Sequence, residues 1–470
     1  MASPVPQGMD RREWLWRSGG GLGGVALAWL SAEARGLQPG FHHAPRAKRV
    51  VQFFMSGAAS QCDLFDYKPE LIKRNGEEWD PGETVELFQS RPGKVMRSPW
   101  GWTPHGECGK HVSDLLPNIG SCADDIAFVH GMTSKSNVHG PATLLQATGF
   151  VSPGFPSVGA WVSYALGRMS DDLPAYVVLP DSRGYAPCGP GNWTAGFLPA
   201  VHQGTMIRPD RPDPIADLKP PTDAGVDARA DEDGLALLGE LNRRHRMGRP
   251  GDDRLDARIA SYELAARLQL SAPEVLDLAG EAGHVRDLYG LDHGATAEFG
   301  RNCLLTRRLL ERGVRFVQVW SGADNGHPRR NWDSHEDVKK DHGELGTMID
   351  RPIAGLIKDL KRRGMLEDTI ILWTTEFGRM PCGQGSKGRD HNPFGFTSWL
   401  CGGGIKGGVS HGATDEWSFR AVEDKTTGYD LHATILHLLG IDHERLTVRQ
   451  DGIDRRLTDV HGHVIRDILA

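Results

Sequence analysis

Three things are scarce in this chain of 470 residues, and each scarcity removes a class of protein. Cysteine is the first: seven residues with no Cys-x-x-Cys pair fit neither a disulfide framework nor a zinc ribbon. An excess of basic charge is the second. Lys and Arg total 54 against 61 Asp and Glu, a net charge of -7, so no global cationic field draws the chain to nucleic acid. Long apolar runs are the third, since the uncharged run near the N-terminus, Gly19 to Leu30, falls short of the ~20 residues a membrane span needs. No stable membrane span is expected in the mature protein. What remains is ordinary globular material, 39% hydrophobic with 59 Gly and 29 Pro, enough for one large α/β unit or two to three domains.

The N-terminus has the three parts of an export signal. Asp10-Arg11-Arg12-Glu13-Trp14-Leu15 precedes the uncharged run, and Ala32-Glu33-Ala34 supplies a small-x-small exit. An amphipathic first helix is the alternative, and the glycines of the run oppose it. The segment resembles a twin-arginine (Tat) leader, which implies the Tat export machinery as a partner and a periplasmic or otherwise exported location. Residues 1–45 are therefore read as signal peptide and linker, and 46–470 as the folded domain.

Within that domain, short β-rich apolar runs recur at Arg49 to Met55, Asp125 to His130, Pro174 to Leu179, Arg315 to Trp320 and Thr369 to Thr374. Helical patterns lie between several of them, the alternation expected of a largely parallel sheet covered by helices. The fold class is α/β, a three-layer α/β/α sandwich with a mostly parallel central sheet. A stretch rich in Asp, Pro and Arg begins at Ile207 and gives way to helix-favouring residues. About 207–294 is read as a linker and helical insertion.

Chemistry-bearing residues cluster where the strands end, as ligand sites do in open α/β sheets. Four groups stand out: Ser56 to Asp66 after the first run, with Asp63 and Asp66; Trp332-Asp333-Ser334-His335-Glu336 after RFVQVW; Thr374-Thr375-Glu376-Phe377-Gly378-Arg379; and Gly388-Arg389-Asp390-His391-Asn392. Carboxylates with imidazoles suit a divalent cation, and the mixed ligands admit zinc, manganese, calcium or magnesium. Each group alone fits a hydrogen-bonded turn equally well. Guanidinium forks at Arg379 and Arg389 match sulfate or phosphate oxygens, with surface ion pairing as the plain alternative.

Taken in order, these groups resemble the alkaline phosphatase and sulfatase superfamily: a first-strand aspartate, an Asp/His loop, a helix around Ile349 to Leu356, a strand ending in an acidic motif, and a late histidine. More closely, FFMSGAASQCDLFDYKPEL, NCLLTRRLLERGVRFVQVW, WDSH, TTEFGR, GRDHN, WLCGGGIKGG and YDLHATILHLLGID resemble a bacterial domain-of-unknown-function family, number 1501, over essentially the whole chain after the leader. The resemblance implies an alkaline phosphatase-like fold and a metal held by Asp63, Asp333, His335, Glu376 and His391. It further implies an anionic ester or a sulfated polysaccharide as substrate.

Two departures qualify it. Glu376-Phe377-Gly378 stands where phosphatases have Asp-His-Gly, so a complete two-metal site is not implied. Aligning the sulfatase nucleophile pattern on Ala142-Thr143-Leu144-Leu145 puts Asn137 at the nucleophile and Pro141 at the arginine. Ser136 beside it is the candidate nucleophile, and His139 a metal or anion ligand, although Ser136 also suits a cap or turn. The expected function is an exported, metal-dependent hydrolase of sulfate or phosphate esters. The alternative is a non-catalytic exported binding or assembly protein that kept the fold.

Overall fold

The computed structural model describes residues 40–85, 87–88, 90–215, 228–249, 259, 273–324 and 331–470. The leader-like segment up to residue 39 lies outside the described residues, as does much of the expected insertion. Within 207–294, a helix runs over Ala228–Met247 and another over Gly283–Leu288. Among the described residues no helix is long and apolar enough to cross a membrane.

The elements that matter are, in chain order, β1 (Arg49–Met55), β2 (Ile126–Thr133), α1 (His139–Thr148), α2 (Val158–Leu166), β3 (Tyr176–Leu179), β4 (Thr205–Met206), α3 (Ala297–Glu311), β5 (Phe316–Ser321), α4 (Val338–Arg362), β6 (Thr369–Thr374), β7 (Phe396–Cys401), β8 (Val409–His411), β9 (Thr426–Thr427) and α5 (Gly428–Leu438). The strands form one nine-stranded sheet in the order β8-β2-β7-β6-β1-β5-β3-β4, with β9 also on β2. β1 pairs in parallel with both β5 and β6, and β3 lies parallel to β4 and β5. Only β7 runs against its neighbours, antiparallel to β2 and to β6.

The five apolar runs became strands because both faces of this sheet are covered. Along β1, Val51, Phe53 and Met55 face one core with Phe299, Leu304, Ile349 and Ile353 of α3 and α4. Val50 and Phe54 face the other, with Val158, Trp161, Leu431 and Ile435 of α2 and α5. A strand buried on both sides reads as an unbroken apolar run, and each such side chain contributes roughly 1.5–3 kcal/mol. Helix α4 opens on Asp337, whose side chain accepts from the Lys340 N–H, and it continues through Pro352 to Arg362. Its buried Leu345, Ile349, Ile353, Leu356 and Leu360 recur at helical spacing.

Strand direction then decides what meets at one edge. β1, β5 and β6 are adjacent and parallel, so Met55, Ser321 and Thr374 end together. β7 opposes both β2 and β6, so β2 runs with β6 and delivers the start of α1 to that same edge. β7 itself begins there, which brings in the segment just before Phe396.

Candidate functional site

Three loops interlock above that edge through close backbone contact. Trp332 donates its N–H to the Ser56 carbonyl at 3.0 Å, and Arg389 donates its N–H to the Ser334 carbonyl at 3.0 Å. Two glycines permit this approach. A Cβ on Gly57 would stand 2.6 Å from the Asp333 nitrogen, and one on Gly388 would stand 1.7 Å from the His335 oxygen. Neither neighbour is a flexible side chain that can move aside.

The centre of the site is Asp333 Oδ1. Four groups surround it: Arg379 Nη2 at 2.6 Å, His335 Nε2 at 2.9 Å, His139 Nε2 at 3.2 Å and His391 Nε2 at 3.3 Å. His335 Nε2 and His391 Nε2 are themselves 2.9 Å apart. All three rings are buried, and each is gripped at its other nitrogen. His139 Nδ1 donates to Glu376 Oε1 at 2.7 Å, His335 Nδ1 to Gln384 Oε1 at 2.5 Å, and His391 Nδ1 to the Asn137 carbonyl at 2.6 Å. These acceptors assign the proton to each Nδ1 and leave the Nε2 lone pairs facing the carboxylate. His139, Asp333 and His391 form one group whose ligand atoms lie within 4.8 Å of one another, and His335, Asp390 and His391 form a second.

Electrostatics follow from the burial. Desolvation favours protonation of Asp333, but the Arg379 guanidinium beside it outweighs burial and holds its carboxyl well below the usual carboxylate range. Burial likewise opposes charge on His139, yet Asp333 and Glu376 prevail and raise its pKa. His391 is pushed down to about 4, chiefly by burial. Beneath the cluster, His342 accepts from the Ser60 N–H at 2.9 Å and donates to Ser334 Oγ at 2.7 Å. Protonating its Nε2 would forfeit the first bond, and burial pushes it down to about 3.

The remaining sequence candidates sit elsewhere. Asp63 makes a two-point ion pair with Arg389, Nε to Oδ2 at 2.8 Å and Nη2 to Oδ1 at 3.0 Å, and accepts from Ser60 Oγ at 2.5 Å. It belongs to neither metal-type group. Arg389 spends its other contacts on the Met380 and Met96 carbonyls. Arg379 donates to the carbonyls of Ala58, Arg389 and Gly57 besides Asp333. Both guanidiniums are 0% exposed and donate to carboxylates and backbone carbonyls of the fold. Glu376 is an outer partner as well, accepting from the Gly57 N–H at 2.8 Å while it orients His139.

Ser136 occupies a turn, its Oγ accepting from the Val138 N–H at 3.1 Å. Among the described residues its hydrogen bonds are to Ser134 and Val138, with no imidazole or carboxylate among them. Sequence reasoning missed Asp390, although it precedes His391 in GRDHN, and it missed His342, Gln384 and the Asn137 carbonyl. Asp390 carried a signal, its place inside a motif already singled out, and so did Asn137, its alignment with the nucleophile position; His342 and Gln384 carried none.

The site can hold one divalent cation between Asp333 and the imidazoles. Among solved structures, the chain is similar to the PsFucS1 sulfatase from Pseudoalteromonas sp., at 13% identity over 90% of this chain and 72% of that one, with a TM-score of 0.37. It is similar to the lipoteichoic acid synthase LtaP from Listeria monocytogenes at 12% identity, over 87% and 77%, with a TM-score of 0.36. A third is the phosphonate monoester hydrolase SpPMH from Silicibacter pomeroyi, at 15%, 75% and 71%, with a TM-score of 0.34. At these values the likeness carries no residue-level correspondence. No curated protein matches the chain. A family described as "Protein of unknown function (DUF1501)" matches residues 47–469.

Proposed function

The chain belongs to the DUF1501 family, and from that membership and the imidazole cluster we propose an exported, metal-dependent hydrolase of sulfate or phosphate esters, of the alkaline phosphatase and sulfatase type. One observation carries the reading: three buried imidazoles, each held at Nδ1 by an acceptor, present their Nε2 atoms to one carboxylate oxygen. That is the donor set of a metal centre with its outer partners in place. A set richer in nitrogen than in oxygen favours zinc over calcium or magnesium. His139, Asp333, His335 and His391 hold the ion in this reading, in place of the broader set that included Asp63 and Glu376.

A bound divalent ion supplies Lewis acidity toward an ester oxygen. The chain's own groups do the rest. Arg379 keeps Asp333 ionised and in place, Glu376 and Gln384 fix two tautomers, and Phe377, buried 4.7 Å from the His391 ring, keeps water from one face of that ring. Asp63 gives both its oxygens to Arg389 and shares no group with the imidazoles, so it is left out of the ligand set in this reading.

A second reading, a non-catalytic exported binding or assembly protein, draws on the absence of a base at Ser136 and on the commitment of both arginines. Metal analysis of the exported protein, with aryl sulfates and phosphates assayed under added zinc, manganese, calcium or magnesium, separates the two. Chelator-sensitive turnover supports the hydrolase; one bound ion without turnover supports the second reading; no bound ion overturns the metal centre. Export through the Tat pathway is tested by Arg11→Lys with Arg12→Lys, which should leave the precursor in the cytoplasm, and normal processing would refute it.

A further inference from the structure

The metal-centre reading leaves open how the alcohol half of the ester is recognised, and the mouth of the site bears on it. His391 is in ring contact with four side chains. His139, His335 and Phe377 are buried, whereas Phe88 stacks on it at 4.6 Å and 11° while remaining 39% exposed. A ring that only supported His391 would gain by burial, as Phe377 does. Phe88 instead offers solvent an apolar face directly over a residue of the cluster.

Its position is tied to the site. Two residues on, Ser90 Oγ donates to Asp390 Oδ2 at 2.8 Å, and further along Met96 donates its N–H to the Pro381 carbonyl at 3.0 Å. Val138, 41% exposed, follows Asn137, whose carbonyl holds His391. Arg379 and Arg389, the two guanidiniums paired with Asp333 and Asp63, are buried and donate to those carboxylates and to backbone carbonyls.

We infer that Phe88 is a specificity-determining residue that stacks against the apolar face of a ring on the ester's alcohol half, an aryl group or the C–H face of a sugar. The inference rests on the reading of His391 as part of a metal centre for anionic esters. Ring stacking of this kind is sequence-independent of the acidic group, so a ring-bearing ligand gains over an acyclic one of equal charge.

Calorimetry on the zinc-loaded full-length mature protein tests it with two non-hydrolysable probes, phenylphosphonate and methylphosphonate. Wild type should bind the phenyl probe about tenfold more tightly, Phe88→Ala should erase that preference, and Phe88→Trp should keep it. Zinc content should be the same in all three. Unaltered preference in Phe88→Ala overturns the inference while leaving the metal-centre reading intact. Zinc lost in Phe88→Ala and regained in Phe88→Trp also overturns it, by showing Phe88 to be a prop for His391. If zinc binds to wild type and neither probe does, the anionic-ester reading fails and the inference falls with it.

Discussion

Replacing Asp333 by Asn removes one charge from the centre of the site while nearly preserving its shape, and two separable effects should follow. The first is on folding. Arg379 is 0% exposed, and apart from Asp333 at 2.6 Å its contacts are backbone carbonyls. Stranding a buried charge by removing its partner costs about 3–5 kcal/mol, and an Asn oxygen that still accepts from Arg379 puts the expected loss at the low end, about 3 kcal/mol. Denaturant unfolding with chelator present in both proteins reads this alone. The second effect is on metal. Asp333 Oδ1 is the atom that all three imidazoles face, so its loss should weaken zinc affinity by more than the ~10–100-fold expected of an outer partner such as Glu376. Zinc content after dialysis against a graded chelator series reads that. Unchanged zinc affinity, together with stability within about 0.5 kcal/mol of wild type, would refute both halves of the reasoning.

Other outcomes follow from the same geometry. Asp63→Ala and Arg389→Met should each destabilise by about 3–5 kcal/mol with zinc content unchanged, and the double variant by much less than their sum; additive losses would show that the two-point pair is not coupled. Gly388→Ala places a Cβ 1.7 Å from the His335 oxygen, so it should lower both the melting temperature and zinc content, and a variant with native zinc would contradict the interlocked loops. His342 and His432 are pushed down to about 3 and about 4 by burial, against about 6.5 when unfolded. Between those values the unfolded chain binds more protons, so stability is full above pH ~6.5 and drains as pH falls, at up to about 1.4 kcal/mol per unit for each histidine. His432→Gln should flatten that slope in denaturation midpoints taken from pH 7 to 4.5, and a slope unchanged in the variant would be the contrary result.

Much of the architecture was readable because of how the sheet is covered. Strands buried on both faces carry apolar side chains at most positions, so VVQFFM, FVQVW and TIILWT announce themselves even with the paired Gln52 and Gln318 inside them, and the candidate loops lie just beyond. β4 has two residues and β9 two, too few for any pattern to register. The antiparallel direction of β7 was equally silent, yet it explains how His391 reaches the edge where β1, β5 and β6 end: it arrives from the start of a strand while the others leave from the ends of theirs.

The sequence by itself determined the α/β class, the strand positions, the family resemblance and the composition of the site in acids, imidazoles and guanidiniums. It could not say which of them face one another. Asp63 and Asp333 look alike in a row of letters, both acids in loops after strands, but one is neutralised by an arginine 326 residues away and the other gathers three imidazoles. The difference is physical. A buried charge must find its counter-charge wherever the fold brings one within about 3 Å, and that partner is chosen by strand order and loop packing, which local sequence does not encode.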